Sequence, residues 1–225
     1  MKQSDIDEAL VALYLRLNGY FTSGLIVHSP IHGQATTEVD CLAIRLPHHA
    51  QPERVIEDDP FLDAAPGMTD VLICEVKSDP DKLSFNKPMK SNADALAGIL
   101  NWTGAFEASK VADVAGRLRS LFDEELPVDQ ARKGLVEGDV RIRALLCCPP
   151  MSEAPQDRWR LTAPTILNYA EACFRPGEAR PTCSVRYSFL QWGYPMREIV
   201  RWLKDRDQAG PASLAELYER FGDSN

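Results

Sequence analysis

The chain has 225 residues, 44% apolar and 26% charged, which suits a single large core and excludes a disordered or disulfide-framed class. No apolar run approaches a bilayer span, and the N-terminus enters an acidic amphipathic segment without a signal-peptide core, so a cytoplasmic protein with no membrane partner is expected. The net charge of −8 argues against a generic nucleic-acid coat. Yet residues 1–70 hold 4 Lys/Arg against 11 Asp/Glu, while residues 156–206 hold 9 against 5, an asymmetry that permits a local phosphate-facing surface.

In chain order, Ser4 followed by Asp7 reads as a helix cap, and Ile6, Ala9, Leu10, Leu13, Tyr14 and Leu17 recur at helical spacing up to a stop at Asn18-Gly19. Glu8 lies in line with Val11, Ala12 and Leu15, a second apolar face, so its place on a solvated surface is not assured. A first strand is predicted over Tyr20–Val27 with a bulge or break at Gly24, and a second over Thr37–Leu46. Residues 47–68, with four prolines and five acidic residues, read as an exposed acidic insertion with a helical turn around Glu53–Glu57. A third strand runs from Asp70 to Val76.

Ser91 and Asp94 predict the start of a helix running to about Trp102, and a second helix follows over about Glu107–Glu125. Val140–Cys147 reads as a strand whose start alternates and whose end is fully apolar. Helices are expected over about Leu161–Phe174, from Pro195 to about Asp205, and from the Ser213/Glu216 capping box to Phe221, with a strand over Ser184–Leu190 between them. The fold class is α/β, with a central four- to five-stranded mixed sheet flanked by helices. Residues 1–150 form the expected core domain, and residues 151–225 an α/β extension packed on it. The six cysteines show no metal-ligand spacing and read as buried or incidental thiols.

Carboxylates and a lysine inside core strands are costly unless paired or bound to a metal. Glu75 and Lys77 point to one face of their strand about 7 Å apart along the backbone, and Glu38 and Asp40 share one face of theirs. If the two strands pair, Asp40, Glu75 and Lys77 converge. The oxygen-rich pair would suit a hard divalent cation such as Mg²⁺ or Mn²⁺, with the Val76 carbonyl as a further ligand.

Asp40 followed by Glu75-Val76-Lys77 resembles the PD-(D/E)xK nuclease motif of the restriction-endonuclease-like fold. The helix–strand–strand–strand–helix order over residues 4–103 and the Thr37–Asp40 stretch look like Holliday-junction-resolvase-like and Mrr-like members, and a strand at 140–147 would complete their core. The resemblance implies that Asp40 and Glu75 bind the metal, that Lys77 is the catalytic lysine, and that Glu8 assists, with Glu38 a weaker candidate. It implies a metal-dependent nuclease acting on nucleic acid, DNA first. Val39 stands where proline precedes the aspartate, and 35 positions separate Asp40 from Glu75, so the insertion must let the strands meet.

Two other readings use the same residues: an inactive nuclease-fold scaffold of a repair or defence system, and a structural Glu75–Lys77 ion pair. A homodimer or a partner protein is left open. Elsewhere, His32 is weighed mainly as a loop residue and His48-His49 as solvated. Arg158, Arg160, Arg175, Arg180, Arg186, Arg197, Arg201 and Lys204, with Lys82, Lys87 and Lys90, are candidate phosphate contacts, against an ordinary solvated surface. The four tryptophans read as core anchors rather than stacking platforms.

Overall fold

The computed structural model describes residues 1–29, 31–52, 54–175, 189–206 and 210–223. Helix α1, Gln3–Leu17, buries nearly its whole circumference: Ile6, Leu10, Val11, Leu13, Tyr14 and Leu15 are all excluded from solvent. Both of its apolar faces are therefore in use. It starts one residue before Ser4, with Asp5 accepting a hydrogen bond from Lys2 N at 3.1 Å, and Asp7 turns inward instead of capping. Beyond its C-terminus, Gly19 sits at φ +84 with the His49 ring against its Cα, so the backbone angle and the close approach both exclude a side chain there.

Among the described residues, six strands form one mixed sheet: β1 (Phe21–His28), β2 (Ala35–Arg45), β3 (Thr69–Val76), β4 (Leu135–Glu137), β5 (Val140–Cys147) and β6 (Arg160–Leu161). The order is β1-β2-β3-β5-β4, with β6 paired to the end of β5. The first three form an antiparallel meander, and β3 runs parallel to β5. Burial on both faces explains the apolar runs Val71–Cys74 of β3 and Ala144–Cys147 of β5. The expected four to five strands become six because β4 and β6 are too short to carry a period-2 signal.

Helices cover both faces. One side holds α2 (Lys87–Ser91), α3 (Ala93–Thr103) and α4 (Ala108–Leu118), packed through Met89, Leu96, Ile99, Val114 and Leu118 on Val71, Ile73 and Ile142. The other holds α1 with α6 (Ala163–Phe174), α7 (Met196–Asp205) and α8 (Leu214–Phe221), packed on Leu72, Cys74 and Leu145. Fully burying each such aliphatic side chain contributes about 1.5–3 kcal/mol. The last three helices thus share one apolar cluster with the first.

Several boundaries differ from expectation. Asn92 caps α3 by accepting from Asp94 N at 3.0 Å, so Ser91 belongs to the preceding short helix. The helix expected to reach Glu125 ends at Leu118 and tightens to a 3-10 turn over Arg119–Phe122. A short α5 (Val128–Lys133) precedes β4, neither of which the sequence suggested. The capping box before α8 is present as expected. Of the strand expected over 184–190, residues 184–188 lie outside the described residues, and Phe189–Trp192 form a 3-10 turn.

The segment joining β2 to β3 is more than an exposed excursion; of the helical turn expected around Glu53–Glu57, Glu53 lies outside the described residues and residues 54–57 are not helical. The segment straps the C-terminal end of α1. Arg54 donates to the Leu17 carbonyl, Asp59 N donates to Asn18 Oδ1 at 2.8 Å, and Leu62, in a 3-10 turn, is fully buried. Asp58 ties the strap down by accepting from both Arg45 (2.5 Å) and Arg54 (2.6 Å). His49 is consequently half-buried rather than solvated.

Candidate active site

Two local devices bring β2 and β3 into position. The strap carries the chain back so that Cys41 pairs with Cys74, the residues that immediately follow Asp40 and precede Glu75. Between β1 and β2 the register shifts: Ser23 opposes Leu42 but Leu25 opposes Val39, so Gly24 faces two residues, Asp40 and Cys41. This is a bulge at the position expected. Residues three apart on a regular strand face opposite ways, yet Val39 and Leu42 both enter the cluster under α3, because the bulge absorbs one residue. The absorbed step falls on Asp40-Cys41, beside the end of β3.

Asp40 Oδ2 accepts from Val76 N at 2.7 Å, so the aspartate is fastened to the strand that carries Glu75 and Lys77. Lys77 Nζ lies 2.5 Å from Glu75 Oε1 and 3.4 Å from Asn86 Oδ1. Glu75 is buried, whereas Asp40 and Lys77 are half-buried, so the cluster opens to solvent at the carboxyl end of the parallel pair β3/β5. Glu8, exposed on α1, is close enough for its charge to be felt there.

The carboxylates are crowded. Glu8 is pushed up to about 7, by desolvation first and then by the negative charges of Asp40, Asp5, Asp7 and Glu38. Burial raises Asp40, opposed by the Val76 N–H and by Lys77. Burial also raises Glu75, where the Lys77 hydrogen bond opposes and the Asp40 charge adds. Mutually repelling carboxylates with partial access to water are a donor set that a divalent cation would relieve, so the residues fit Mg²⁺ or Mn²⁺. Among the described residues, no group of three or more His, Cys, Asp or Glu is gathered into a metal-holding cluster as it stands. Asp40 is turned to Val76 N–H and Glu75 to Lys77.

Four residues that sequence reasoning passed over brace this site. Asp7 is fully buried and accepts from Ser78 Oγ at 2.5 Å and from Tyr218 OH at 2.7 Å, which ties α1 and α8 to the residue after Lys77. Its signal was available: Asp7 lies three and seven positions before Leu10 and Tyr14, on the apolar stripe. Asn86, the residue before α2, carries no such signal and meets Lys77 only through the fold. Glu38 and His32 are exposed.

The basic side chains are largely engaged with protein partners. Arg158 pairs with Glu125 and Asp157, Arg197 and Arg201 with Glu198, Lys90 with Glu124 and Lys82 with Asp79. Arg160 is buried and donates to the Glu124 carbonyl at 2.5 Å. Lys87 is exposed just beyond the site, and Arg180 and Arg186 lie outside the described residues. Trp159 is a core anchor, as expected, whereas Trp102 is 52% exposed. Cys41, Cys74 and Cys147 are buried free thiols in the cluster under α1.

No helix among the described residues is long and apolar enough to cross a membrane. No family model, curated protein or solved structure matches the chain.

Proposed function

We propose that this chain is a divalent-metal-dependent nuclease of the PD-(D/E)xK type, with DNA as its substrate. The observation that carries the reading is the fastening of Asp40 to Val76 N–H beside the Glu75–Lys77 pair, since these residues are far apart in sequence. The antiparallel meander β1-β2-β3 after α1, followed by parallel β5, supports a restriction-endonuclease-like core. Asp40, Glu75 and the Val76 carbonyl would hold Mg²⁺ or Mn²⁺, which polarises a phosphodiester and lowers the pKa of bound water. Lys77, steered by Asn86, supplies positive charge where negative charge builds on the phosphate. Glu8, titrating near neutrality, is suited to accept a proton at working pH.

In the expected result, purified protein cleaves DNA with Mg²⁺ or Mn²⁺, and Asp40→Ala and Lys77→Ala each lower the rate by about 10²–10⁴-fold. Equal cleavage by wild type and both variants overturns the site assignment.

A second reading, a non-catalytic scaffold on the same fold, is favoured by one feature. Asp40 and Glu75 already have protein partners, a backbone N–H and an ammonium. Calorimetry separates the two: the nuclease takes up Mn²⁺ in a manner that Asp40→Asn and Glu75→Gln abolish, and the scaffold does not.

A further inference from the structure

At the end of the sheet away from the carboxylate cluster, positive charge outruns its partners. Asp70, near the start of β3, lies between Arg141 and Arg143, so two buried guanidiniums share one buried carboxylate. Arg143 spends its donors on Asp70, the Leu62 carbonyl and Tyr20 OH. Arg141 places Nε and Nη2 on Asp70 and the Asp63 carbonyl, but its Nη1 comes only within 3.8 Å of Asp63 Oδ2, beyond hydrogen-bond reach. The Asp63 side chain is 64% exposed, so water screens what its charge contributes.

Arg141 opens on a cleft of about 470 Å³ between the strap, α5 and β4. Arg132 and Lys133, in the last turn of α5, line it as well. Among the described residues neither makes a hydrogen bond or an ion pair, in contrast to Arg158, Arg197 and Lys90. Arg132 has the Phe61 ring at 5.8 Å, and its Nε is buried with no acceptor. A helix C-terminus favours cations, yet it leaves that Nε unsatisfied. Two exposed carboxylates, Asp63 and Asp129, line the cleft against these three cations.

We propose that this cleft binds a small organic oxyanion, with its phosphate or carboxylate head on Arg141, Arg132 and Lys133 and its body against Ala65, Met68 and Val136. An anion there matches the guanidinium charge that Asp70 leaves over, and a planar guanidinium suits either head through two parallel hydrogen bonds. The volume is that of a small-molecule site, and the apolar wall suits the body of an organic anion better than a bare ion. Asp70 and Glu75 are about 17 Å apart along β3, so the inference is independent of the nuclease reading.

Isothermal titration calorimetry of the purified protein with phenyl phosphate, and separately with benzoate, tests it up to about 10 mM. Binding of at least one is expected, and the tighter of the two identifies the head group. Arg132→Gln and Lys133→Glu should each weaken it at least about tenfold, and Val136→Glu, which sets a negative charge on the apolar wall, should do the same. Lys87→Gln, at the exposed lysine beside the carboxylate cluster, should leave it unchanged. Far-UV circular dichroism melts check that each variant is folded, and any one folded cleft variant suffices. Absence of binding by both probes overturns the proposal. So does binding that the folded cleft variants leave intact, or binding that Lys87→Gln weakens as much as they do.

Discussion

Glu8 and Asp70 show how environment gives opposite signs to the same chemical group. Asp70 is buried between Arg141 and Arg143, with Tyr20 OH donating at 2.6 Å, and although burial opposes it, the two guanidiniums hold its carboxyl below the usual range. Its contribution to stability is present at neutral pH and is lost as pH falls through that lowered pKa. Glu8 behaves in the reverse way. Its proton is bound more tightly folded, near 7, than at the ordinary value of 4.5, so stability declines as pH rises through that window. Glu8→Gln is therefore expected to melt like wild type at about pH 4 and at higher temperature than wild type at about pH 8. Equal melting temperatures at both pH values would remove the crowding argument. The sequence placed Glu8 near a non-solvated face and beside Asp5 and Asp7; the charges of Asp40 and Glu38, which raise its pKa further, came near only once β2 lay beside α1.

At the scale of elements, the strap over residues 46–68 decides whether a site exists. Its prolines and acidic residues resemble a solvated excursion, because composition reports polarity and not where each group finds its partner. In the fold, Asp58 is spent on Arg45 and Arg54, Asp59 caps a 3-10 turn, and Leu62 anchors the strap in the core. Leu62→Ala is expected to cost about 2–5 kcal/mol in urea denaturation, the range for a deleted buried leucine. A loss below about 0.5 kcal/mol, the scale of ordinary surface substitutions, would mean that the strap is not anchored there. The bulge opposite Gly24 is the counterpart in the sheet: glycine in a strand pattern hinted at it, but which partner residues it would accommodate depended on the β1–β2 register.

For the whole molecule, α1 is the element on which both ends of the chain converge. Met1 N donates to the Phe221 carbonyl at 2.8 Å, and Tyr218 of α8 reaches Asp7, so the C-terminal helices brace the helix that carries Glu8. Ligand binding at the carboxylate cluster should therefore register as global stability. Mn²⁺ at about 100 times its dissociation constant is expected to add about 2.7 kcal/mol, and Asp40→Asn or Glu75→Gln to abolish the gain. A wild-type melting temperature unmoved by Mn²⁺ would count against the metal.

The sequence by itself determined the elements with strong periods: α1, the three meander strands, β5 and the helix behind the Ser213/Glu216 capping box. It also marked Asp40, Glu75 and Lys77, because charges inside apolar strands stand out against their neighbours. Only the tertiary structure decided that these residues meet, that Asp7 faces inward, and that Asn86 lies beside Lys77. Those facts depend on strand register and long-range packing, where one residue of slip turns a strand's side chains to the opposite face, and no local pattern encodes that choice.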